Sequence, residues 1–239
     1  MLRFRSLASS SAGNATLVEA SEGHQRTRLL IDCGLGWRQL HQRLAQVDLT
    51  PEQLDGIFIT HEHGDHVGCV AQVSARYQIP VWTGSGTRQA LEASRPLPLA
   101  RVAADGVAIA IGGIQVQPFT VPHDAREPLQ LRCTDGDRVL GIATDLGHGT
   151  PHLLERLAQC HALILESNHD PELLARSRYP DFLKRRISGS LGHLNNAQAA
   201  QILQQIGHSA LGVVVAAHLS ERNNDPQQVR RLFGMALNR

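Results

Sequence analysis

The 239-residue chain is poor in aromatic side chains: two Trp, two Tyr and five Phe make up 4% of it. So few aromatics argue against extensive stacking on long single-stranded nucleic acid. Cysteine is scarce as well. Cys33, Cys69, Cys133 and Cys160 stand far apart with no CxxC pair, which excludes a zinc ribbon and a disulfide framework and leaves reduced, mostly buried thiols. No excess of one charge exists: 23 Lys and Arg face 22 Asp and Glu, for a formal net charge of +1. A generally basic protein that coats nucleic acid is thereby excluded, so any nucleic-acid contact must be local. No stretch approaches the roughly 18 apolar residues of a membrane span, and Met1-Leu2-Arg3-Phe4-Arg5-Ser6-Leu7 has no apolar signal region. A cytoplasmic protein without membrane association is expected.

What the chain does have is 42% hydrophobic residues, enough for a substantial core. Short apolar, β-branched runs alternate with helical patterns. Strands are expected over Leu2 to Leu7, Ala15 to Glu19, Arg28 to Asp32, Ile57 to Thr60, Val81 to Thr83 and Val107 to Ile111. Further strands are expected over Val116 to Thr120, Leu129 to Cys133, Arg138 to Thr144, Ala162 to Glu166 and Gly212 to Ala217. Helix starts are legible at Thr50-Pro51-Glu52-Gln53 and Asp225-Pro226-Gln227-Gln228, which place a capping residue before a proline, and at Thr150-Pro151 and Asn195 to Gln198. The expectation is one α/β domain over residues 1–239 with two mixed sheets.

The most informative run is His61-Glu62-His63-Gly64-Asp65-His66, directly after the strand-like Gly56-Ile57-Phe58-Ile59-Thr60. Imidazoles and a carboxylate crowded at one strand end compete for water and repel when protonated, unless a cation compensates them. His61 and His63, two apart on extended backbone, can point to one side, while Asp65 and His66 lie past the Gly64 bend. Three more polar residues follow apolar strand candidates: His123 after Val121-Pro122, Asp145 after Ile142-Ala143-Thr144, and His218 after Val213 to Ala217. Each alone reads as an ordinary loop residue or helix cap. In α/β sheets, however, sites gather beyond the carboxyl ends of strands, and together they indicate one shared site. His61, His63 and His123 would hold one metal, Asp65, His66 and His218 a second, with Asp145 bridging. Nitrogen and oxygen donors without thiolate admit Zn²⁺ or Mn²⁺. Two such ions can share a water, lower its pKa and clamp the attacked centre, which makes this a hydrolytic site. Asp32, ending Leu29-Leu30-Ile31-Asp32, is the candidate to accept a hydrogen bond from a ligand imidazole and fix its tautomer.

In this order, Thr60 to His66, His123, Asp145 and His218 resemble the metallo-β-lactamase superfamily over nearly the whole chain. The resemblance implies a four-layer αβ/βα sandwich, two mixed sheets with helices outside, and a dinuclear site. True β-lactamases of this superfamily typically carry cysteine where Asp145 stands, so antibiotic hydrolysis is disfavoured. Ser6 to Asn14, Glu166-Ser167-Asn168-His169-Asp170, Ser190 to Asn196 and Ala217 to Asn224 look like the small YycJ/WalJ-type branch, regarded as DNA exonuclease-like phosphodiesterases. Where that branch usually begins its first loop Gly-Ser-Gly-Ser, this chain has Ser9 and Ser10.

The resemblance assigns His193 as the general acid that protonates the leaving alkoxide, and Asp65 as a catalytic metal ligand. Ser10, Ser11, Gly13, Asn14, Asn168, His169, Ser220 and Asn223 become candidate substrate contacts, with His169 also competing with His218 as the last ligand. The implied activity is phosphodiester hydrolysis at DNA strand ends, and the partner is nucleic acid. Hydrolysis of small cyclic phosphates or nucleotide-like diesters is a second reading, and a non-catalytic metal-binding protein a third. Arg176, Arg178, Lys184, Arg185 and Arg186, punctuated by Tyr179 and Phe182, are the local basic patch that separates the first reading from the second.

Overall fold

In a computed structural model, which describes residues 1–92 and 94–238, β1 (Leu2–Ser10), β2 (Gly13–Glu22) and β3 (Gln25–Ile31) form an antiparallel meander. Its register sets Glu19 opposite both Arg3 and Arg28, so like charges on the flanking strands share one carboxylate. The sheet then turns parallel through β4 (Gly56–Ile59), β5 (Val81–Gly84) and β6 (Ala100–Ala103), in the order β1-β2-β3-β4-β5-β6. All four residues of β4 and of β5 are buried, the continuous apolar signature of a strand covered on both faces. A second sheet has the order β12-β11-β10-β9-β8-β7, from β7 (Ile109–Ile111), β8 (Ile114–Thr120), β9 (Leu129–Thr134), β10 (Val139–Ala143), β11 (Ala162–Glu166) and β12 (Val213–Ala217). β7 and β8 pair antiparallel, and β10, β11 and β12 run parallel.

Helices among the described residues are α1 (Trp37–Ala45), α2 (Gly64–Val67), α3 (Val70–Tyr77), α4 (Ser85–Glu92), α5 (Pro151–Leu157), α6 (Pro171–Arg176), α7 (Asp181–Ser188), α8 (Asn196–Ile206) and α9 (Pro226–Ala236). Three expected starts are capped as the sequence implies: Thr150 accepts from the Leu153 N–H, Asn195 from Gln198 and Asp225 from Gln227. The Thr50 start differs. Its capping box closes, but the segment is one short 3-10 turn, Pro51–Gln53, because Leu54 is already extended on the way into β4. The sequence does not signal strand β6, which is four residues long with only Ala103 buried. None of the described helices is long and apolar enough to cross a membrane.

The described residues sort into two compact units that alternate along the chain. The first comprises Met1–Phe119, Ala125–Leu129 and Cys133–Arg138; the second comprises Thr120–Asp124, Gln130–Arg132 and the segment from Val139 onward. The first has a core in which Leu30, Leu40, Leu44, Ile57, Ile59, Val70, Val73 and Val81 are fully buried. Each such side chain contributes about 1.5–3 kcal/mol of transfer free energy. The second buries Leu140, Leu153, Leu163, Leu165, Leu194 and Leu203 completely.

Candidate metal centre

Because β3 and β4 are parallel neighbours, their carboxyl ends stand side by side, and the Asp32 N–H donates to the Phe58 carbonyl at 2.8 Å. Asp32 is buried and left-handed, with φ +58°. Its Oδ1 accepts from the Thr60 N–H and hydroxyl, both at 2.9 Å, and its Oδ2 from His66 Nδ1 at 2.8 Å. An ionised carboxylate only accepts, so His66 carries its proton on Nδ1 and presents Nε2 as a lone pair. The Thr60 hydroxyl proton is spent on Asp32, so its oxygen accepts from His61 Nδ1 at 3.0 Å, which fixes His61 in the same tautomer. His61 Nε2 then faces His63 Nδ1 at 3.1 Å. His61 and His66 are fully buried, and their ring centroids are 4.0 Å apart.

His63 caps α2, whose single turn carries Asp65 and His66. Asn14 braces that turn: its Nδ2 lies 3.2 Å from Asp65 Oδ2 and 3.1 Å from His66 Nε2. The approach requires glycine at 34, where a Cβ would stand 1.6 Å from the Asp65 carbonyl oxygen. Glu62 is turned to other work, accepting from Thr87 Oγ1 at 3.2 Å and the Arg126 N–H at 2.8 Å.

In the second unit, parallel β10, β11 and β12 deliver Asp145, Glu166 and His218 from adjacent strand ends. Asp145 and His218 adopt left-handed backbone, φ +58° and +53°, conformations that cost a non-glycine residue on the order of 1 kcal/mol or more and gather at functional sites. Glu166 is fully buried. Its Oε1 accepts from His193 Nδ1 and His218 Nδ1, each at 2.9 Å, and its Oε2 from the Leu194 N–H at 3.0 Å and the Leu146 N–H at 3.2 Å. Asp145 Oδ1 is 3.0 Å from His218 Nδ1. Donor atoms of Asp145, Glu166, His193 and His218 all lie within 4.8 Å of one another. His123 Nδ1 lies 3.2 Å from the Gly192 carbonyl, to which it can donate, and its ring sits 5.4 Å from that of His193.

These contacts set the protonation states. Burial pushes the Glu166 carboxyl up, but the His193 charge and the bonds from His193 and His218 outweigh it and hold the group at about 2. Burial pushes His193 down, and the charge and hydrogen bond of Glu166 reverse that, leaving it above the usual imidazole value. At His169 burial outweighs the opposing charges of Glu166 and Asp170 and lowers the group to about 4.

Other sequence candidates fall in varied places. Asn168 is buried as a strut, donating to the His218 carbonyl at 3.0 Å, while its own carbonyl accepts from the Ser220 N–H. His169 and Asn223 are buried with Nδ1 and Oδ1 respectively lacking a hydrogen-bond partner. Ser11 is exposed, Gly13 is buried, and Ser10 Oγ accepts from the Ala12 N–H. Glu166 is the residue that sequence reading passed over. Its signal was the one that exposed Asp32: a carboxylate ending an otherwise apolar strand, Ala162-Leu163-Ile164-Leu165-Glu166.

The model of the β-lactamase superfamily domain matches residues 27–218. The chain belongs to the metallo-β-lactamase superfamily. It is 32% identical to exodeoxyribonuclease YycJ of Bacillus anthracis, over 99% of this chain and 89% of that one. Exodeoxyribonuclease WalJ of Streptococcus pneumoniae is 31% identical, over 93% of this chain and 83% of the relative. Among solved structures, the metallo-β-lactamase fold protein YhfI of Bacillus subtilis matches with a TM-score of 0.77 at 15% identity, covering 99% and 93% of the two chains. As a superfamily member the protein is a metal-dependent hydrolase with the expected fold, and its His/Asp clusters are divalent-metal donors.

Proposed function

We propose that the protein is a phosphodiesterase that removes nucleotides from DNA strand ends. Its donors to two divalent ions, Zn²⁺ or Mn²⁺, are His61, His63, Asp65, His66, His123, Asp145 and His218. The residues suit such ions. His61 and His66 present Nε2 lone pairs fixed by Thr60 and Asp32, and no thiolate joins them. The relatives named as exodeoxyribonucleases support the strand-end substrate.

The observation that carries the reading is the Glu166–His193 pair, since a protein that only stores metal needs no imidazole oriented by a fully buried carboxylate that also raises its pKa. Phosphodiester hydrolysis needs a nucleophile, charge neutralisation and a proton for the leaving alkoxide. Bound divalent ions supply activated water and neutralise the phosphoryl oxygens. His193 supplies the proton: with Nδ1–H committed to Glu166, the transferable proton sits on Nε2. Glu166 orients that imidazole and raises its pKa, and Asp65, braced by Asn14, would orient the attacking water.

The test compares wild type with His193→Ala at verified metal content, in zinc and in manganese, on 5′-labelled DNA, 3′-labelled DNA and a simple phosphodiester. The variant is expected to keep its metal and lose on the order of 10² to 10⁴ of the rate. Equal rates in both proteins overturn the hydrolytic role of His193. Turnover of the simple diester with both labelled strands intact overturns the DNA substrate.

A further inference from the structure

Helix α7 stands out in the second unit because none of its residues is buried. Phe182, in its first turn, is 67% exposed, and Leu191, just beyond its end, is 51% exposed. In a chain with 4% aromatics, an uncovered phenyl ring amid basic residues needs an account. Basic residues lie close to it in sequence. Arg186 pairs with Asp124 at 2.6 Å, Arg176 with Glu172 at 3.4 Å, and Lys184 Nζ donates to the Ala175 carbonyl at 2.7 Å, which ties α7 to α6. Arg178 and Arg185 are exposed.

The far end of α7 holds His193. The His193 N–H donates to the Ile187 carbonyl at 2.8 Å, and the Gly192 N–H to the Gly189 carbonyl at 2.9 Å. A Cβ on Gly192 would stand 2.1 Å from the Arg186 carbonyl oxygen, so the turn that presents His193 is pressed against the last turn of the helix. From Phe182 to Ile187 the helix advances about 7.5 Å at 1.5 Å per residue, roughly two base steps of 3.4 Å.

We propose that α7 is a single-strand grip: Phe182 stacks on an unpaired base of a DNA terminus while Arg178 and Arg185 contact its phosphates, which feeds the terminal phosphodiester toward His193. Bases in a duplex hide their faces against each other, whereas an unpaired terminus offers a face to a lone ring and phosphates to flanking arginines. One ring and two free guanidiniums fit a short reach at an end and do not fit coverage of a long strand. The inference rests on the strand-end reading above and adds the form of the substrate.

Its test is binding of a fluorescently labelled single-stranded phosphorothioate oligonucleotide, which resists cleavage, to the metal-loaded protein, with hydrolysis of the unmodified strand followed in parallel. Phe182→Ala should weaken binding by about 5- to 150-fold with an unchanged salt slope, and Phe182→Trp should restore it. Arg178→Ala and Arg185→Ala should each flatten the slope of log affinity against log salt by about 0.7. Phe182→Ala binding within twofold of wild type, or a blunt duplex bound as tightly as the single strand, overturns the grip. Binding that depends on Phe182 without cleavage of the unmodified strand supports the grip and overturns the nuclease reading. Cleavage by Phe182→Ala at the wild-type KM does the reverse.

Discussion

In the first unit the ligand-type side chains arrive on one continuous loop, anchored through Thr60 and His66 by Asp32 at the end of β3. In the second they come from separate strand ends and the turn before α8, and Glu166 at the end of β11 is the anchor. Both anchors are buried carboxylates, yet they differ in what they hold. Asp32 receives one imidazole, the Thr60 hydroxyl and the Thr60 N–H, which fixes tautomers and the strand end. Glu166 receives two imidazoles on one oxygen, one from the proposed ligand His218 and one from the proposed proton donor His193. In these proposed roles a carboxylate shared in this way links metal holding to proton supply, and Asp32 does not.

The largest effect expected from this difference is at Glu166. Glu166→Gln removes the charge that raises the His193 pKa, and its NH2 must face one pair of donors, either the two imidazoles or the N–H groups of Leu146 and Leu194, which then lose their acceptor. Metal affinity should fall about 10- to 100-fold and kcat by on the order of 10² to 10⁴. Combining it with His193→Ala should lower kcat little further, since residues acting as a unit are not additive. Metal titration and turnover of all three variants check this. A Glu166→Gln enzyme within threefold of the wild-type kcat breaks the proposed coupling.

The same contrast explains what could be read from the chain. His61, His63, Asp65 and His66 are adjacent in sequence because one strand end and one helical turn carry them. Asp145 and His218 were legible only by their company, each a polar residue after an apolar strand. Glu166 obeys that rule and was still passed over, because a glutamate at a strand end reads as a solvated terminus until hydrogen bonds from four groups are counted. The sequence marks Asn14 only as a substrate contact and gives no sign that its amide lies against Asp65 and His66, across 51 and 52 residues of sequence. Local spacing carries no record of such pairings. The strands were readable because burial enforces apolar runs, and β6 was not because it is exposed.

A smaller effect belongs to the first anchor. Asp32→Asn keeps the size of the side chain but removes the charge that His66 Nδ1–H points at. Metal affinity should fall about 10- to 100-fold, the magnitude typical for partners of ligand imidazoles. At saturating metal, however, kcat should stay within a few fold of wild type, because no proton donor depends on Asp32. Turnover across a metal titration separates the two anchors: a loss of kcat that excess metal does not restore would put Asp32 in the same class as Glu166.

The smallest effect lies in how one helix of each unit begins. Helix α1 starts at Gly36 with no side-chain cap, whereas α6, which leads to α7, starts at Asp170. There Oδ1 accepts from the Glu172 N–H at 2.8 Å and the Leu173 N–H at 2.9 Å, and Oδ2 from Gln228 Nε2 at 2.8 Å. Asp170→Ala should destabilise the fold by about 1 kcal/mol and leave metal content unchanged. Burial pushes this carboxyl up, but the N–H groups of Leu173 and Glu172 and the Gln228 amide outweigh it and leave it below the usual range. A carboxyl lowered in the folded state stabilises above its unfolded value, about 3.9, and that contribution is lost as pH falls through the folded value. The gap in unfolding free energy between wild type and variant should therefore be constant from about pH 5 to 8 and shrink below about pH 4. A gap that persists undiminished at pH 3 would assign the effect to lost packing, and the capping contrast between the units would fall with it.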